Sequence, residues 1–257
     1  MTAIATLMEA AGEVARLAGS IAREHFRPGI GVESKADGSP VTIADRSAEQ
    51  AARAWIEHRF PDDGIIGEEF GVARPAARRR WIVDPIDGTR SFIRGVPLWG
   101  TLVAAAEGED VLAGAAFFPA TDEMLVAAPG CGCWWNGVRC RVSSVEAIAQ
   151  AVVLTTDERF PARAGRHEAW TRLAERAALS RTWGDCYGYL LVATGRAEVM
   201  ADDQVAPWDA AALVPIIEEA GGVFTDWKGV RTAFGGDSVA TNAALARDAR
   251  SLLGVPA

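Results

Sequence analysis

The feature that most constrains this chain is the stretch Trp81-Ile82-Val83-Asp84-Pro85-Ile86-Asp87-Gly88-Thr89-Arg90-Ser91-Phe92. A short apolar run predicts a buried strand, and it delivers two aspartates at its end. Pro85 fixes one backbone angle and bars an immediate helix, so Asp84 and Asp87 can converge while the carbonyl of Ile86 turns outward. Two carboxylates and a carbonyl make a hard oxygen site of the kind that suits Mg²⁺, which completes its shell with water and substrate phosphate. Gly88, Thr89 and Ser91 then open a helix, whose first N–H groups favour an anion beside the metal. The competing reading of the same residues is an Asx-type loop that caps a helix.

Length and composition bound the rest. With 257 residues, 49% of them hydrophobic, the chain can bury a large core as one domain or two closely joined halves. No apolar stretch approaches the roughly 20 residues of a membrane span, and Glu9 and Glu13 sit inside an N-terminal helical pattern without a secretory layout. The expectation is a cytoplasmic protein. A net charge of −8 argues against nucleic acid as partner, which calls for a basic patch. Bound divalent cations can reverse a site's sign, so an acidic chain is compatible with an anionic substrate. Cys131, Cys133 and Cys140 are close in sequence, yet they lack paired Cys-x-x-Cys spacing and a nearby histidine, so reduced thiols are expected over a zinc site. The fourth cysteine is Cys186.

Along the chain, helical spacing predicts an amphipathic helix from residue 3 to about 26, ending before Pro28-Gly29. A polar loop over 33–40 follows, with Gly38 and Pro40 as breakers, and it reads as mobile. A second helix, with Asp45 in its first turn, runs to Phe60-Pro61. As a helix-start carboxylate, Asp45 would satisfy the dipole. The segment 65–69 reads as a brief strand ending in Glu68 and Glu69. Strands over 98–106, 111–118, 123–127 and 138–142, with Trp134-Trp135-Asn136-Gly137 as a hairpin, suggest an antiparallel sheet. From about residue 144 the pattern turns α/β: strands at 151–155 and 197–201, helices at 167–179 and 187–195. Pro207-Trp208-Asp209 opens a helix that runs to Gly221-Gly222, late strands occupy 223–226 and 239–241, and Asn242 caps a closing helix. Residues 1–143 thus form one half and 144–257 the other.

The chain presents Glu68, Asp84, Asp87 and Asp209 at element ends, a cluster that would repel itself unless cations filled it. Ile66-Gly67-Glu68-Glu69, the Asp84 to Thr89 turn, and Trp208-Asp209-Ala210-Ala211 with Glu219-Ala220-Gly221-Gly222 resemble the inositol monophosphatase superfamily of Mg²⁺-dependent, lithium-sensitive phosphatases. The resemblance implies a layered αβαβα sandwich, fructose-1,6-bisphosphatase-like, commonly a homodimer. It also implies that Glu68, Asp84, Asp87, Asp209 and the Ile86 carbonyl hold two or three Mg²⁺, and that Thr89 and Asp45 orient the attacking water. Trp183-Gly184-Asp185-Cys186-Tyr187-Gly188-Tyr189, and Gly88 to Gly95 with Pro97 to Leu102, depart from the inositol pattern and look like the histidinol-phosphatase branch. Histidinol phosphate carries an ammonium and an imidazole, so carboxylates near the leaving group would discriminate; Asp185 and Asp202 are the candidates. Arg181 would contact phosphate or pair with a neighbour.

Three other readings compete. An inositol phosphatase, or one for another small phosphate ester, shares the superfamily but not the Asp185 segment. A haloacid-dehalogenase-like phosphatase needs one residue between its aspartates and a lysine, whereas Pro85 and Ile86 intervene here and neither Lys35 nor Lys228 has a persuasive setting. A metal-binding or regulatory protein that kept the fold without turnover is disfavoured, because all the expected ligands are present.

Overall fold

The first helix, α1 (Ala3–Glu24), turns Leu7, Ala11, Val14, Ala15, Ala18 and Ala22 inward at helical spacing. It is seen in a computed structural model that describes residues 3–27, 29–35, 38–160 and 165–256. Pro28, and Ala36 and Asp37 of the 33–40 loop, lie outside the described residues. The ends of that loop pair as β1 (Glu33–Ser34) and β2 (Pro40–Val41). Next comes α2 (Ile43–Arg59), opened by a capping box in which Thr42 and Asp45 satisfy each other's orphan N–H groups.

The chain then builds an eight-stranded sheet from β3 (Gly64–Gly67), β4 (Gly71–Ala73), β5 (Arg79–Asp87), β6 (Gly100–Glu107), β7 (Asp110–Phe118), β8 (Glu123–Ala128), β9 (Gly132–Trp135) and β10 (Val138–Arg139). The spatial order is β10-β9-β8-β7-β6-β5-β3-β4, antiparallel except for the parallel β3–β5 pair. A single helical turn, α3 (Thr89–Phe92), follows β5. Asn136 and Gly137, both at positive φ, make the two-residue hairpin turn between β9 and β10.

A five-stranded sheet follows, of β11 (Val152–Leu154), β12 (Leu179–Arg181), β13 (Val199–Asp202), β14 (Gly222–Thr225) and β15 (Ser238–Asn242) in the order β12-β11-β13-β15-β14. Its helices are α4 (Arg166–Ala174), α5 (Asp185–Ala193), α6 (Pro207–Ala210), α7 (Leu213–Glu219) and α8 (Ala246–Leu253). Three apolar clusters define the layers. Val103 and Ala105 of β6 face α1 and α2, while Leu102 and Ala104 face the opposite way, toward Leu190 of α5 and Ile216 of α7. Met200 and Phe224 of the smaller sheet close on that same central layer, and Trp170 of α4 and Leu253 of α8 cover the sheet's outer face. The result is the expected αβαβα sandwich. Both faces of each sheet are covered, which is why strands such as β6 read as continuous apolar runs. Among the described residues no helix is long and apolar enough to cross a membrane.

Several boundaries differ from expectation. The strand expected over 138–142 ends at Arg139. The helix expected over 167–179 stops at Ala174, and Leu179–Arg181 is instead an edge strand parallel to β11. The helix expected from Pro207 to Gly221 is broken into α6 and α7. Pro215 lacks an N–H and would clash with the carbonyl of residue 211, so the helix restarts and Pro215 falls in the first turn of α7. Asn242 belongs to β15; its Oδ1 accepts the N–H of Leu245, the residue just before α8.

Candidate metal centre

The acidic turn is a β-bulge. Opposite β6, Asp84 pairs with Leu102 and Asp87 with Gly100, so three steps on one strand match two on the other. Residues three apart in a regular strand point to opposite faces; the extra residue lets Asp84 and Asp87 converge. Pro85 is tolerated because a bulge needs no ladder bond there, and its carbonyl accepts the Thr101 hydroxyl at 2.7 Å. Asp84 Oδ1 accepts the Ile86 N–H at 2.9 Å, and the Ile86 carbonyl accepts the Thr89 hydroxyl at 3.0 Å. Gly88 follows at φ 86°, a left-handed backbone that turns the chain into α3. As α3 is one turn long, it contributes local N–H groups and little macrodipole.

Asp209 arrives from the other half of the fold, on the first turn of α6, where it also accepts the Ala206 N–H at 2.7 Å. Carboxylate oxygens of Asp84, Asp87 and Asp209 all lie within 4.8 Å of one another. Burial, and then the charges of Glu68, Asp87 and Asp209, push the Asp84 carboxyl well above the usual range. Burial, then Asp209, pushes Asp87 up to about 7 against the opposing hydrogen bonds from Cys186. Asp209 is pushed up to about 7, chiefly by burial. Three desolvated oxygen donors that oppose each other's ionisation are suited to a hard divalent ion.

The cluster opens into a cavity of about 860 Å³. Glu68, Gly88, Thr89, Asp185 and Asp202 also border it. Glu68, at the end of β3, accepts a hydrogen bond from Lys35 Nζ at 2.7 Å, and Lys35 also binds Glu69 at 2.6 Å. Asp45 accepts both the N–H and the hydroxyl of Thr42 through Oδ2, at 2.8 and 2.6 Å. Its Oδ1 is buried without a partner. Burial, then the charge of Glu68 among smaller causes, raises its pKa.

Asp185 stands at φ 50°, in the left-handed region, with its N–H donated to Thr156 Oγ1 at 2.8 Å. Its half-buried carboxylate lies near Gly88, where an added Cβ would come within 3.2 Å of Oδ2. Burial, Asp87 and Asp202 raise its pKa, and Arg90 opposes them. Asp202 is more deeply engaged. Its carboxylate accepts the Thr156 N–H at 2.8 Å and the Tyr189 hydroxyl at 3.1 Å, so it borders the cavity while tied to the wall around it. Arg181 is on the exposed edge strand β12, bonds the Ser180 carbonyl and does not border the cavity. Among the described residues, Arg90 and Arg159 are the arginines that border the cavity. Arg90 comes with the acidic turn itself, whereas Arg159, Lys35 and Thr156 carried no sequence signal, because each reaches the site by packing of distant segments.

Cys133 and Cys140 face each other across the end of the β9–β10 hairpin with sulfurs 3.4 Å apart, and Cys131 is half-buried nearby in sequence. Cys186 is buried beneath the acidic turn.

A layered αβαβα sandwich with a carboxylate cluster where a bulged strand meets a helix start defines a class of proteins with a candidate cation site at the edge of a cavity. Comparison narrows that class. The sequence matches the inositol monophosphatase family over residues 4–253. It is 41% identical over 249 residues to a histidinol-phosphatase of Chlorobaculum parvum, covering 96% of each chain. It is 39% identical to a histidinol-phosphatase of Mycobacterium tuberculosis, over 83% of this chain and 84% of that one. Among solved structures, an inositol monophosphatase from Zymomonas mobilis superposes with a TM-score of 0.88 at 34% identity, covering 99% and 100% of the two chains. The chain belongs to the inositol monophosphatase family.

Proposed function

We propose that this protein is a Mg²⁺-dependent phosphatase that hydrolyses L-histidinol phosphate to L-histidinol and phosphate. The observation that carries the substrate is Asp185, a half-buried carboxylate beside Gly88 at the cavity wall, in a chain 41% identical to a histidinol-phosphatase. An ammonium or imidazolium on the leaving group would meet that carboxylate, and a polyol would not. Glu68, Asp84, Asp87, Asp209 and the Ile86 carbonyl would hold two or three Mg²⁺. When bound, the ions supply charge neutralisation for the phosphate and lower the pKa of coordinated water.

The chain's own groups do the rest. Thr89, its hydroxyl proton donated in a hydrogen bond to the Ile86 carbonyl, keeps lone pairs free to accept a hydrogen bond through a proton of the attacking water. The unpartnered Asp45 Oδ1 is the acceptor toward which that proton moves. Gly88 and Thr89 offer backbone N–H groups to a phosphate oxygen, and Arg90 borders the same space. The enzyme would work in the cytoplasm as a homodimer, in histidine biosynthesis, and sedimentation in solution tests the dimer.

The deciding experiment compares kcat/KM for L-histidinol phosphate and inositol 1-phosphate with Mg²⁺. A strong preference for histidinol phosphate is expected. Equal or reversed preference removes the substrate and leaves the metal chemistry standing.

A further inference from the structure

Glu68 is held on the turn between β3 and β4, and strand pairing ends at Gly67 and Gly71 on either side of it. Its anchor comes from α2. Glu49 is completely buried, and its Oε2 accepts the Glu69 N–H at 2.7 Å while its Oε1 accepts the Phe70 N–H at 3.2 Å. Arg53, one helical turn on, donates Nε to the same Oε1 at 2.7 Å and bonds the Gly71 carbonyl. A carboxylate out of water is costly unless its lone pairs are used, and here they are. The sequence makes room for it. A Cβ at residue 67 would stand 1.9 Å from Glu49 Oε1, so glycine is required immediately before Glu68. Glu49 also lies four residues after Asp45, on the same face of α2.

We infer that Glu49 is a positioning residue, whose buried carboxylate grips the two N–H groups after Glu68 and so aims Glu68 into the cation site. The inference rests on the metal reading above. Groups behind a metal ligand commonly control affinity by roughly 10–100-fold. Glutamine at this position has one acceptor oxygen where glutamate has two, so one backbone N–H loses its partner and Arg53 loses its counter-charge.

The test measures Mn²⁺ binding by the electron paramagnetic resonance signal of the free ion, alongside Mg²⁺ activation. For Glu49→Gln we expect Mn²⁺ affinity to fall about 10-fold, the Mg²⁺ activation constant to rise by the same factor, and kcat at saturating Mg²⁺ to be retained. Ala52→Gly, elsewhere on the buried face of α2, lowers Tm without changing Mn²⁺ affinity. Glu49→Asp keeps both acceptor oxygens on a shorter arm, gives an intermediate loss, and decides the matter should the glutamine variant fail to fold. Unchanged Mn²⁺ affinity in Glu49→Gln or Glu49→Asp, or an equal loss in Ala52→Gly, overturns the inference. Wild-type protein that binds no Mn²⁺ overturns the metal reading itself.

Discussion

The backbone N–H of Cys186 donates to Asp87 Oδ2 at 2.5 Å, joining residues 99 positions apart in the chain. Through that bond the start of α5, which carries Asp185, is tied directly to the acidic bulge of β5. The group proposed to read the substrate's cation and a group proposed to hold the metal therefore share one rigid seam.

Asp87→Asn should remove most phosphate release. Losing several kcal/mol of transition-state charge stabilisation corresponds to at least ~10²-fold in kcat/KM at about 1.4 kcal/mol per tenfold. The same variant relieves like-charge repulsion, so its metal-free Tm should rise. Phosphate release at the wild-type rate would sink the metal assignment.

The carboxyls of Asp87 and Asp209 are raised to about 7 in the metal-free protein, above their unfolded values. The folded state therefore binds more protons than the unfolded state between about pH 4 and 7, and metal-free stability should fall as pH rises through that window and level off above it. Cations bind the ionised form, so Mg²⁺ affinity should rise over the same range with proton release. Thermal melts with and without Mg²⁺ from pH 5 to 8 check both slopes, which should have opposite signs.

Asp185→Asn should cost roughly 10–100-fold in kcat/KM for histidinol phosphate, the equivalent of about 1.5–3 kcal/mol for a hydrogen bond to a charged group. An aryl phosphate, whose leaving group carries no cation, should be hydrolysed nearly as before. Equal losses on the two substrates would assign Asp185 to the frame of the site and not to recognition.

Gly88→Ala should destabilise the protein by about 1–3 kcal/mol, because φ is 86° there and the new Cβ would lie 2.9 Å from the Leu98 carbonyl oxygen. Chemical denaturation gives the number. A variant as stable as wild type would show that the β5–α3 turn can relax.

The antiparallel sheet followed by an α/β half, the Asn136-Gly137 hairpin and the convergence of Asp84 with Asp87 were legible in the sequence, because each depends on neighbours: alternation, turn chemistry, and a proline placed between two acids. So was Asp209, through its place at a helix start. The αβαβα layering was implied only by the family resemblance. The break at Pro215 is written in the sequence as well, but the apolar spacing runs on through it and masks it. Tertiary structure alone decided the partners. Lys35 meets Glu68 and Glu69 across more than 30 residues, the Asp202 carboxylate accepts from Thr156 and Tyr189, and Arg181 falls on an outer edge while Arg159 reaches the cavity. Local spacing encodes backbone geometry and which face of an element is apolar. Which charged side chain meets which is settled only when two sheets close on one shared helical layer, and nothing along the chain records that meeting.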